Sequence, residues 1–130
     1  MSRQVGLSAA LAVHLLVAAG HGVTHGLVAV SLPAWQNVIV VGTTFVGPIA
    51  GVLLARRGHR LGAPLFAMSL VGALAVGGYL HFVLDNPDHV HAIPAGDWRL
   101  PFQASAVAVA LTEAVGTVVG VQAWQGTDKG

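Results

Sequence analysis

Histidines and one carboxylate, set inside apolar stretches, are the residues whose types and spacing point to chemistry. His21-x-x-x-His25 puts two imidazoles on one helical face, an arrangement that a metal ion uses. His81, near the end of the third apolar stretch, stands at a similar level and is a third candidate ligand. Asp85 lies four residues further, on the same face if the helix persists, where it would bind the ion or orient an imidazole. His89 and His91 follow in the adjoining loop. Imidazoles without sulfur suit Cu(II), Zn(II), Ni(II) or Fe. The expected metal set is therefore His21, His25, His81, Asp85, His89 and His91, holding copper or zinc. Haem b between two level histidines is the alternative, and solvated interfacial histidines are the plainer reading.

Glu113 is the second feature. It lies near the middle of an apolar run, Leu100 to Trp124. A carboxylate at that depth in a bilayer is costly and marks a functional site by default. It shares a helical face with Ala106, Ala110, Thr117 and Gly120, small residues that allow close helix contact. His14 lies about 14 Å up its helix from one side, and Glu113 about 16 Å up from the same side. A His14–Glu113 hydrogen bond is therefore geometrically allowed. It would be either a proton-handling pair, as in a proton-coupled transporter, or a buried polar pair that fixes helix register.

These residues need an unusual setting, and composition supplies it. Of the 130 residues, 55% are hydrophobic and 8% charged, and mean hydropathy is +0.74. A soluble domain carries about 25% charged residues, so lipid must be the solvent here. A net charge of +1 gives no case for nucleic acid. The absence of cysteine removes disulfides, Fe–S clusters, thiolate zinc sites and c-type haem attachment.

Four apolar segments follow, at about 5–32, 35–55, 61–84 and 100–124. Each exceeds the roughly 20 residues a helix needs to cross the hydrocarbon core. Helices are the expected element, because lipid cannot satisfy an open backbone. The expected fold is all-α, one domain over 1–130, a polytopic up-down bundle of four transmembrane helices. Ser31-Leu32-Pro33 separates the first two segments, Asp85-Asn86-Pro87-Asp88 ends the third, and Pro101 opens the fourth. Gly47-Pro48 predicts a kink in the second helix.

Basic residues set the expected orientation. With both termini cytoplasmic, Arg3, Arg56, Arg57, Arg60 and Lys129 lie inside and Arg99 alone lies outside. Trp35 and Trp98 then fall at the outer boundary and Trp124 at the inner one. The expectation is a multi-pass cell-membrane protein. A signal peptide cleaved after Val17-Ala18-Ala19 is the competing reading, disfavoured because the apolar run continues toward Leu32. Gly47-x-x-x-Gly51 and Gly116-x-x-x-Gly120 match helix-packing spacing. A homo-oligomer or a larger membrane complex is accordingly a candidate partner besides lipid.

No nucleotide-binding glycine fingerprint, HExxH or GxSxG is present, which argues against a recognisable enzyme. In size and number of spans the chain resembles the small multidrug resistance transporters, which use a membrane-embedded glutamate in their first helix. Here His14 occupies that helix and the glutamate is in the fourth, the charge bias argues for one fixed orientation, and no motif carries the resemblance, so the family is not adopted.

Overall fold

A computed structural model describes residues 2–126. It is all-helical, with four helices long and apolar enough to cross a membrane: α1 (Arg3–Leu27), α2 (Ala34–Arg56), α3 (Gly62–Phe82) and α4 (Arg99–Gln125). Lys129 lies outside the described residues. Successive helices run up and down. α1 packs along α4, α4 along α3, and α3 along the second half of α2. The Arg3 guanidinium lies beside Gly126, so both described ends meet at one end of the bundle. Arg56, Arg57 and Arg60 fall at that same end, called here the arginine end. The opposite end carries His21, His25 and His81 and is called the histidine end.

Each boundary has a local cause. The Ser2 hydroxyl caps α1 by accepting from the Val5 N–H. α1 stops at Leu27, short of the end of the apolar run at Leu32, and Ala29 takes a left-handed turn with φ 55°. The chain beyond it, Val28 and Val30, packs on the core near Phe102 instead of extending the helix. α3 ends at Phe82 because Asn86 reaches back, its amide donating to the carbonyls of Leu80 and Leu84.

The expected kink in α2 takes the form of one wide turn over Gly42–Val46, closed by a bond from the Gly47 N–H to the Gly42 carbonyl. Pro48 explains it. Proline has no N–H for the carbonyl four residues back, and its ring clashes with that carbonyl. The wide turn moves the Thr44 carbonyl aside and leaves it free for another donor.

Two apolar clusters hold the bundle. At the arginine end Leu7, Val52, Ala63, Phe66, Leu70 and Ala123 pack together. At the histidine end Val90, Ile93, Phe102 and Ala106 pack together. Glycines let the helices approach. A Cβ on Gly51 would meet the Phe66 backbone, one on Gly116 would meet Leu70, and one on Gly120 would meet Ala67. The two glycine pairs of the sequence thus pack helices within the chain. Large apolar residues such as Leu16, Val23, Val38, Leu111 and Val115 face outward, as lipid contact requires.

Candidate metal centre

His21 and His25 come from one face of α1, and His81 comes from the last turn of α3. Their Nε2 atoms converge. His21 Nε2 lies 3.1 Å from His81 Nε2 and 3.2 Å from His25 Nε2. One ligand atom from each histidine lies within 4.8 Å of the other two. A tetrahedral ion with metal–imidazole bonds of about 2.05 Å holds its nitrogens about 3.3 Å apart. The two short edges are close to that value.

The Nδ1 atoms turn outward, each toward an oxygen. His81 Nδ1 donates to the Asp88 carbonyl at 2.9 Å and lies 3.4 Å from the Asp88 carboxylate. His25 Nδ1 lies 3.5 Å from the same carboxylate. His21 Nδ1 lies 2.8 Å from the Ser105 hydroxyl, which itself donates to the Phe102 carbonyl and so keeps a lone pair for the imidazole. A carbonyl only accepts, so His81 carries its proton on Nδ1 and a lone pair on Nε2. Outer partners of this kind orient metal-ligating imidazoles.

Asp88 reaches the cluster through the loop that follows α3. Its backbone N–H donates to the Asn86 side chain at 2.7 Å, in a tight turn. The Val90 N–H then donates to the His81 carbonyl, and Gln103 donates to the Val90 carbonyl. This folds the loop over the cluster, with Phe102 beneath the three imidazoles. Asp88 is 2% exposed and its Oδ1 has no hydrogen-bond partner. Burial pushes its carboxyl up to about 6, against the pull of His25.

The other candidates are not among the three converging imidazoles. Asp85 is exposed, because α3 ends before it and the helical face it was placed on does not continue. His89 and His91 pack on each other, with ring centroids 5.3 Å apart, and the His91 N–H donates to His89 Nδ1. Asp88, rather than Asp85, is the carboxylate at the site. The spacing after His81 did not single it out; only the Asn86 turn brings it back. Ser105 and Thr24 were also not singled out, and Thr24 donates to the His21 carbonyl beside Ser105.

His14 is fully buried, and both of its ring nitrogens are engaged. Nε2 donates to the Thr44 carbonyl at 2.9 Å, and Nδ1 lies 3.1 Å from the Thr112 hydroxyl. Thr112 neighbours Glu113, so the two levels agree, but the partners of His14 are threonines. The Glu113 side chain is buried, has no hydrogen-bond partner among the described residues, and borders a cavity of about 320 Å³. His21, His25, His81 and Asp88 border the same cavity.

Two axial imidazoles hold a haem iron with Nε2 atoms about 4 Å apart, twice a usual metal–imidazole bond. The two Nε2 separations that include His21, 3.1 and 3.2 Å, are shorter than that. Comparison with protein-family models, curated proteins and solved structures finds no match to this chain. The fold and site define a small four-helix membrane protein with a histidine cluster that could hold a metal ion.

Proposed function

We propose that this protein is a membrane metalloprotein that holds one divalent transition-metal ion, zinc or copper, through Nε2 of His21, His25 and His81. Asp88 and Ser105 orient the ligands from outside, and Asp88 adds a negative charge that offsets the ion. The observation that carries the reading is the convergence of three Nε2 atoms while every Nδ1 faces an oxygen. Without an ion the same contacts are hydrogen bonds between imidazoles, an Nε2–H donating to a neighbouring Nε2 lone pair, and a bound cation would take the place of those protons.

Three protein ligands leave a fourth position, as in zinc sites that bind and exchange a ligand. The sequence has no cysteine for a blue-copper ligand set, so metal handling is favoured over electron transfer.

Metal analysis of protein purified in detergent and dialysed against zinc tests this. Wild type should retain about one ion per chain. The His21→Ala/His81→Ala variant should retain a small fraction of that. Cobalt substitution should give the strong visible bands of a four-coordinate site, absent from the variant. Folded wild type without stoichiometric zinc, copper or cobalt would overturn the proposal.

A further inference from the structure

We propose that the cavity between the histidine cluster and Glu113 binds a lipid-soluble alcohol or phenol about two rings across, with its hydroxyl seated on the Glu113 carboxyl. The inference rests on the metal reading only for the roof of the cavity; the floor stands by itself.

The walls are largely apolar, with Thr43 and Thr44 of α2 as the polar exception. Ala18 of α1, Val40 and Val41 of α2, Ala73 of α3, and Val109 and Ala110 of α4 line the middle. Such a cavity favours an organic molecule over ordered water, which needs several polar partners. An apolar cavity of about 150 Å³ holds benzene, so about 320 Å³ has room for about two rings. The floor is polar. The Glu113 residue is 3% exposed, and its carboxyl has no hydrogen-bond partner among the described residues. A buried polar group without a partner is expensive, so a ligand that supplies the partner gains that energy on binding. A carboxylate only accepts, whereas a carboxylic acid also donates. A hydroxyl group matches both forms.

The span fits as well. Ser105, level with His21, and Glu113 are separated by eight residues of α4, a rise of about 12 Å. Helical side chains lean toward the start of their own helix. α4 starts at the histidine end, so Glu113 leans toward the cluster. α1 and α3 start at the arginine end, so His21, His25 and His81 lean toward Glu113. The two polar ends therefore approach across the apolar middle by less than the backbone rise.

Access is from the membrane. The first stretch of α2, Ala34–Val41, has no buried residue and makes little contact with α1. It flanks the cavity through Asn37, Val40 and Val41. A molecule dissolved in lipid reaches the cavity along this flank.

Equilibrium dialysis of 2-naphthol and naphthalene against protein in nanodiscs, with empty nanodiscs subtracted, tests the proposal. Chelator-treated protein isolates the floor. It should take up about one 2-naphthol per chain saturably, and bind naphthalene at least about tenfold more weakly. Glu113→Leu should erase this preference. Ala110→Phe should block uptake of both, and Ala110→Leu serves if the larger substitution prevents folding. Absence of saturable uptake, or a hydroxyl preference that survives in folded Glu113→Leu, would overturn it. Failure of the metal reading shows separately, as protein that retains no zinc after dialysis against zinc and yet prefers the naphthol.

Discussion

The Thr44 carbonyl accepts the His14 Nε2–H at 2.9 Å, in place of the helical bond that Pro48 has no N–H to make. The wide turn of α2 exposes an acceptor inside the bundle, and α1 supplies a donor from a fully buried side chain. Proline is tolerated in membrane helices when a neighbouring helix satisfies the freed carbonyl in this way.

His14→Ala should therefore lower stability by about 2 kcal/mol, from one lost hydrogen bond and one orphaned carbonyl. Pro48→Ala restores an N–H at position 48 and should soften that loss. A double-mutant cycle in mixed detergent reads the coupling between positions 14 and 48. Strict additivity would show that the two residues act separately.

Asp88 gives a pH signature outside the membrane-spanning helices. Its carboxyl is pushed from 3.8 up to about 6 by burial. A raised folded value means the folded state holds this proton more tightly than the unfolded chain does. The resulting stability is full below the ordinary value and is lost as pH rises through about 6. In chelator-treated protein, the stability of wild type relative to Asp88→Asn should therefore fall between about pH 4 and pH 6, by up to roughly 3 kcal/mol. Taking the difference between the two proteins cancels the neighbouring histidines. An ion bound at the histidines favours the carboxylate, so metal should remove that fall. The same variant should bind metal about 10- to 100-fold more weakly. Identical pH profiles for wild type and Asp88→Asn would remove Asp88 from this account.

Glycine positions separate packing from mere composition. An alanine Cβ at Gly51 would lie 2.6 Å from the Phe66 backbone nitrogen, where nothing can swing away. Gly51→Ala should cost about 1–3 kcal/mol. Gly77 has open space around the same position, and Gly77→Ala should stay within about 0.5 kcal/mol of wild type. Equal melting temperatures for the two variants would contradict the α2–α3 contact.

The helices were legible in the sequence because each apolar run exceeds a membrane thickness and little else can satisfy its backbone. The convergence of His21, His25 and His81 was legible for a related reason: helical spacing and depth are simple arithmetic. What was hidden depends on side chains bonding to backbone. The turn made by Asn86 replaces Asp85 with Asp88 at the site. The carbonyl freed by Pro48 draws His14 away from Glu113. Glu113 then faces a cavity shared with the histidines, which no periodicity along one helix can reveal.

Orientation follows from charge and gives the last prediction. Arg3, Arg56, Arg57 and Arg60 belong to the arginine end, and Arg99 alone stands at the histidine end. Basic residues in short loops remain on the cytoplasmic side, so the histidine cluster is expected near the outer surface. Single-cysteine variants at exposed loop positions report this directly. Gly96 lies in the loop above the cluster, with open space around it, and His59 lies in the exposed turn between α2 and α3. A membrane-impermeant maleimide added to intact cells should label Gly96→Cys. It should label His59→Cys only after permeabilisation. The reverse pattern would invert the protein and put the histidine cluster on the cytoplasmic side. Labelling of both from outside would contradict the four-span topology itself, because the two loops lie at opposite ends of α3.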